Sequence, residues 1–286
     1  MNPRRLFPPC RRAPCALALP LFVAATGAQA QWLVPPPQLP VTDGLWRGSG
    51  GAAATLTSGN TDGAAVSLSF DAVRATPGDR ITLGGSLNYG RSENPDGEVT
   101  TTADRWNASG RYDLNLTPRS FVYGRGAVER DRVIELDRRD TVDAGLGWKL
   151  VNRADANVSV FGGIGRSVDR YSREQTIDGR SASRFTRTTL TLGEESVHRL
   201  TPTVEWRQRL DVAPTVSGDR TTILHFSTTL AVALNSTLGL TVTLSDQFNS
   251  RPPDGIRRND LTLFTGLNLK FGPQPPAPPA PPVPPR

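Results

Sequence analysis

Between residues 45 and 272 the chain is a succession of long runs in which apolar and polar residues alternate, and this period of two is its most constraining feature. Side chains of a β-strand point alternately to opposite faces, so such a run gives one apolar and one polar face. Bounded by turn residues, the runs fall at 46–57, 63–74, 80–92, 102–114, 119–131, 138–150, 155–168, 182–195, 203–212, 219–232, 237–249 and 259–271, which makes twelve. No convincing 3.6-residue periodicity lies between them. Globular strands peak at about five or six residues, whereas a tilted membrane-crossing strand needs about nine to eleven. Nearly all of these runs are ten residues or longer.

The alternation is sustained. In the last run Leu261, Leu263, Leu267, Leu269 and Phe271 oppose Thr262, Gly266, Asn268 and Lys270. In the eleventh, Leu238, Leu240, Val242 and Leu244 oppose Gly239, Thr241, Thr243 and Ser245. In the ninth, Val204, Trp206, Gln208, Leu210 and Val212 alternate with Glu205, Arg207, Arg209 and Asp211. One face suits hydrocarbon; the other requires water or charged partners.

Loop lengths give an independent indication. Outer-membrane barrels have short periplasmic turns, longer outer loops and both termini on the periplasmic side. Here the even-numbered connections, 75–79, 115–118, 151–154, 197–202 and 234–236, are short, while 93–101, 169–181 and 250–258 are longer; the first odd connection, 58–62, breaks the trend. Aromatics fit the same scheme, with Trp46, Tyr89, Trp106, Tyr112, Trp148, Trp206, Phe248 and Phe271 near strand ends on the apolar face. Phe121 and Tyr123 share a face with Arg125, Glu129 and Asp131, and charge is costly in lipid, so that face is placed inside. The expected fold is all-β, an antiparallel transmembrane β-barrel of about 12 strands over residues 45–272.

The flanks are read differently. Residues 1–30 have the layout of a secretory signal: Arg4, Arg5, Arg11 and Arg12, an apolar run from Ala16 to Ala25, then Ala28-Gln29-Ala30 as a small-x-small cleavage site. The apolar run is too short for a spanning helix, which needs roughly 20 residues. Both cysteines, Cys10 and Cys15, lie in this segment, so the expected mature chain has no disulfide, thiol catalyst or thiolate metal site. The segment's four arginines come off the 33 basic residues, leaving 29 against 27 acidic ones. Near-neutral and evenly spread charge gives no footprint for nucleic acid. Residues 31–44 form a Pro-rich linker and 273–286 a Pro-rich tail on the periplasmic side. The tail is either a stiff spacer of about 40 Å, at roughly 3 Å per residue, or a ligand for a periplasmic partner.

The stretch Leu56-Thr57-Ser58-Gly59-Asn60-Thr61-Asp62, then Thr102-Ala103-Asp104-Arg105-Trp106, Arg111-Tyr112-Asp113, Leu192-Gly193-Glu194-Glu195 and Asn259-Asp260 together resemble the YdiY-like family of salt-induced outer-membrane proteins. The resemblance covers nearly all of residues 44–272. It implies a signal peptide, export and an outer-membrane barrel, and brings no established activity and no catalytic residues. The Pro-rich tail departs from the family pattern, in which the barrel ends at its terminal aromatic. The last strand also looks like a barrel-assembly signal, Gly266 followed by Leu269 and Phe271, with Phe264 standing where a polar residue is expected. Outer-membrane lipid and the barrel-assembly machinery are therefore the expected partners.

The polar face is rich in ions: Arg47, Asp71, Arg105, Arg111, Asp113, Arg125, Glu129, Asp143, Lys149, Arg187, Glu205, Arg207, Arg209 and Asp211. Opposite charges on adjacent strands come within about 5 Å, which describes a salt-bridged lumen and a structural barrel; an envelope-stress role for such a barrel is what the family resemblance implies. The same arginines would suit a narrow channel for small anionic solutes, since a guanidinium binds carboxylate or phosphate through two hydrogen bonds. A soluble periplasmic barrel that binds a ligand is the third version, because alternation alone does not say which face is inside. Catalysis is not expected: of two histidines, His198 falls in a predicted turn and His225 shares the lumen face with Ser227 and Thr229. Two separated histidines make no tetrahedral metal site, and 94–98 and 253–255 lack full calcium-loop spacing, so no cofactor is expected. The double substitution Leu269→Ala with Phe271→Ala is expected to lower the amount of heat-modifiable protein in the outer membrane; unchanged insertion would remove the assembly role of this strand.

Overall fold

Twelve antiparallel strands hydrogen-bond in sequence order around a ring that the first and last strands close. The structure is a computed structural model and describes residues 39, 41–57, 62–93, 96–177, 179–252 and 257–273. The strands are β1 Arg47–Thr57, β2 Asp62–Ala75, β3 Asp79–Glu93, β4 Val99–Asn115, β5 Ser120–Asp131, β6 Leu136–Asn152, β7 Ala156–Ile177, β8 Arg180–Arg199, β9 Val204–Gly218, β10 Thr222–Ala233, β11 Leu238–Asn249 and β12 Asn259–Phe271. Closure leaves no unpaired edge, the condition for a sheet to stand in hydrocarbon. The signal segment, residues 31–38 and 40 of the linker and the tail beyond residue 273 lie outside the described residues.

The closing seam pairs Gly48 with Phe271 and Ala52 with Leu267. A Cβ on Gly48 would lie 2.1 Å from the Asp71 carbonyl oxygen and 2.4 Å from the Phe271 ring, so only glycine fits there. Phe271 also stacks on Phe70, with centroids 5.9 Å apart and ring planes at 3°. Arg47 ties the ends of the barrel together, donating to the Pro273 carbonyl at 2.8 Å and to the Asp43 carboxylate at 2.7 Å. That hydrogen bond from Arg47 holds the Asp43 carboxyl well below the usual carboxylate range.

The leucines point outward. Leu146 is 64% exposed, Ile164 and Leu269 61%, Leu263 58% and Leu192 50%, with Trp106, Tyr112 and Trp148 also on the outer surface. The buried set is instead dominated by arginine, aspartate, glutamate, serine and threonine. A soluble barrel would reverse these two faces, so the soluble version does not describe this chain. The belt is interrupted by polar groups over β8 to β10, where Gln208 donates to Glu194 and Trp206 Nε1 to Thr228 Oγ1.

The main departure from expectation is at the end remote from the termini. Residues 169–181, expected as a loop, continue the β7–β8 hairpin, with strands of 22 and 20 residues. Pairing slips at a bulge between Arg170 and Gln175, then resumes with Gln175 opposite Ala182. Tyr171, Ile177 and Phe185 pack with Leu136 in a buried cluster that stabilises the extension. β9 likewise runs on to Gly218.

Inward glycines make room for inward rings. A Cβ at Gly147 would sit 2.0 Å from the Phe121 ring, and one at Gly193 would sit 2.2 Å from the Phe161 ring. Gly147→Ala and Gly193→Ala are each expected to cost about 1–3 kcal/mol through overpacking. Gly124→Ala, with no atom within 4 Å of the added carbon, should be near neutral. Unfolding titrations in lipid vesicles check the contrast.

Candidate functional site: a charged network across the lumen

Alternation places every second side chain in the lumen, which sets the charged positions of neighbouring strands at matched heights. Arg111 and Asp113 on β4, Arg125 and Glu129 on β5, and Arg209 and Asp211 on β9 are all interior. Arg105 faces the lumen opposite Asp131, and Glu205 and Arg207 face it nearer the termini. These nine side chains lie on the inward-facing side of their strands.

Their pairing is not only between neighbours. Glu195 on β8 accepts from Arg80 on β3 at 3.1 Å, from Arg111 on β4 at 2.9 Å, and from Arg209 on the adjacent β9. Arg125 on β5 reaches Asp143 at 2.7 Å and Asp211 on β9 at 3.1 Å. In the ring order β3 and β8 are five strands apart, and β5 and β9 four apart, so these bonds cross the lumen. Arg80 and Arg111 also hold Asp113, at 2.7 and 2.6 Å, and Arg209 holds Asp211. Four guanidiniums thus meet four carboxylates, Asp113, Asp143, Glu195 and Asp211.

Aromatic faces complete this layer. The Arg111 guanidinium lies 4.5 Å from the centroids of Tyr123 and Phe161 and 5.6 Å from that of Phe121, and Arg209 lies 5.4 Å from Phe161. Desolvated cation–π contacts of this kind add about 2 kcal/mol or more.

A second layer lies toward the long hairpin. Asp169 accepts two hydrogen bonds from Arg139, at 2.7 and 2.9 Å, and another from Arg187, while Arg139 also reaches Glu129 at 2.7 Å. With the Arg105 and Asp131 positions opposite each other, this layer is balanced too. Toward the termini the lumen opens into a cavity of about 460 Å³ lined by Arg47, Arg199, Glu205, Arg207, Asn268 and Lys270, among others.

Four members of the network, Arg80, Arg139, Asp169 and Glu195, were not expected there. Asp169 fell in the expected loop, and Arg80 opened its expected strand beside a turn. Arg139 and Glu195 belong to the doublets Arg138-Arg139 and Glu194-Glu195, where only strand parity decides which residue faces inward. Parity with the outward Leu192 was the available signal for Glu195.

His225 lies in the lumen strand opposite Asp211, as expected. His198 is the exception: it is the penultimate residue of β8 rather than part of a turn, and stacks on Trp206 at 5.3 Å. Of the last strand's residues, Gly266 is buried, and Leu269 and Phe271 are outward at 61% and 42% exposure.

An apolar outer belt around a closed, ion-filled ring defines an outer-membrane β-barrel. The sequence profile of the family described as "Protein of unknown function, DUF481" matches residues 50–271, and the chain belongs to that family. It is 27% identical over 183 residues, 61% of this chain and 67% of the relative, to the uncharacterized protein YdiY of Escherichia coli strain K12. Among solved structures it is similar to the COG4313 outer membrane channel from Pseudomonas putida F1, with a TM-score of 0.48 and 14% identity over 83% of this chain and all of the other. The NanC porin gives a TM-score of 0.42 at 9% identity, over 79% of this chain and 97% of the porin.

Glu195→Gln leaves four guanidiniums to share three carboxylates and is expected to cost about 3–5 kcal/mol of unfolding free energy. Adding Arg80→Met should recover part of that loss. A double-mutant cycle in lipid vesicles measures it, and simple additivity would show that the two side chains are not coupled.

Proposed function

We propose that this protein is a structural barrel of the outer membrane whose lumen is held shut by its own ion pairs. The observation that carries this reading is the set of Arg–carboxylate bonds crossing from β3, β4 and β5 to β8 and β9. Their members are nearly solvent-free, with side-chain exposures of 4% to 18%. Removing one partner of a buried pair is costly, so each bridge resists opening. The equal numbers of cations and carboxylates in each layer support the same reading, because neither layer offers an uncompensated charge to a passing ion. A role under envelope stress is the physiological setting suggested by family resemblance.

A narrow channel for small anionic solutes is the second reading. It is favoured by the cavity near the termini, where Arg47, Arg199, Arg207 and Lys270 outnumber Glu205. In that case the bridges would form a gate that ligand or voltage opens.

Planar bilayers separate the two. Native protein is expected to show no discrete conductance steps, and Arg80→Ala with Glu195→Ala to show them. Stable openings of native protein with anion preference, diminished in Arg207→Ala plus Arg209→Ala, would contradict the closed barrel and establish the channel.

A further inference from the structure

On the outer surface of β6 to β8, arginines accumulate just beyond the apolar belt. Cross-strand register places Arg138 opposite Arg170, and Arg170 opposite Arg184. Directly opposed side chains on one face have Cβ atoms about 4.5–5.5 Å apart, and like charges so placed repel. The Arg138 and Arg170 side chains are 59% and 46% exposed, and Arg184 is exposed as well. Two outward positions closer to the belt on β7, past Val168, stands exposed Arg166, opposite Val142, which is 61% exposed. Arg130, on the outward face of neighbouring β5, lies opposite Trp106.

Compensation within the chain is slight. Asp140 accepts from Arg138 and from Arg170, both at 2.7 Å. Among the described residues, Arg130, Arg166 and Arg184 form no ion pair, and neither does Asp137 at the bulge beside Arg138. Flanking arginines differ: Arg132, Arg173 and Arg180 are paired with Asp104, Glu135 and Asp219. The local excess is therefore confined to the rows that border Val142, Ile164 and Leu190 on the lipid-facing surface.

From this placement we infer that the outward arginines of β6 to β8, with Arg166 and Arg130, form a binding site for the phosphate groups of a lipid in the outer leaflet. The site sits at the end remote from the termini, which faces outward in barrels of this class. It continues the hydrocarbon-facing surface, so acyl chains would lie on Val142, Ile164 and Leu190 while the headgroup meets the guanidiniums. Planar guanidiniums recognise phosphate oxygens through paired charge-assisted hydrogen bonds. A phosphate between Arg170 and Arg184 removes the repulsion that the register otherwise imposes. Free phosphate would gain the same hydrogen bonds but none of the apolar contact, so the lipid is the fitting occupant.

The test uses the full barrel in phosphatidylcholine nanodiscs carrying either a bis-phosphorylated glycolipid or its dephosphorylated form, with bound lipid counted by native mass spectrometry. Native protein should retain the phosphorylated lipid preferentially. The triple variant Arg138→Gln, Arg170→Gln and Arg184→Gln should bind it about a hundredfold more weakly. A control with Arg119→Gln, Arg153→Gln and Arg220→Gln, equal in charge change, should bind as native. Both variants must show the native heat-modifiable gel shift, which separates lost binding from lost folding. Equal retention of the two lipids, equal loss in both variants, or displacement of the lipid by millimolar inorganic phosphate would each overturn the site.

Discussion

The structure depends on one carboxylate, Glu195, and the three guanidiniums that converge on it from β3, β4 and β9. A twelve-stranded ring is wide enough that neighbouring strands alone would leave an aqueous centre. Here long arginine side chains span that centre and find carboxylates on the far wall. The bridges are sustainable because each arginine that enters the layer brings a compensating acid, and because Tyr123 and Phe161 cover the Arg111 guanidinium. The aromatic rings in turn require glycines opposite them, so the composition of the wall and the charge at its centre are coupled.

That interior explains an otherwise puzzling composition. Mean hydropathy is −0.35, and hydrophobic residues are 37% of the chain, yet the protein spans a membrane. Only one face of each strand needs to satisfy hydrocarbon, and the other is filled with polar groups that satisfy one another. The lumen and the outer surface thus handle charge in opposite ways. In the two layers that cross the lumen, arginines and acids are matched; on the outer rim of β6 to β8, Arg166 and Arg184 stand without an acidic partner among the described residues.

Much of this was legible from alternation and punctuation. Period-two runs located all twelve strands, whereas the expected contrast of short and long connections largely disappears where β7, β8 and β9 run on into the expected loops. Strand parity also placed Arg111, Asp113, Arg125, Arg209 and Asp211 in the lumen. What alternation does not carry is the pairing across the lumen, because a strand pattern specifies neighbours and says nothing of the wall opposite. Glu195 and Asp169, the two convergence points, were missed for that reason and because each lay at or past an expected strand end. The hairpin extension was obscured by Ser172-Arg173-Glu174, whose polar side chains read as a loop while Tyr171 and Ile177 anchor it from within.

The central claim is directional: the leucines face lipid and the lumen is packed with paired charge. The only cysteines, Cys10 and Cys15, precede the barrel, so single spin labels can be placed at will. Electron paramagnetic resonance of Leu146→Cys and Leu190→Cys should show access to oxygen and not to a polar nickel chelate. Labels at Ser159→Cys and Thr191→Cys, buried at 3% and 2%, should show access to neither. Free access of the nickel chelate to the Ser159 and Thr191 positions, with the leucine positions shielded from oxygen, would contradict the account.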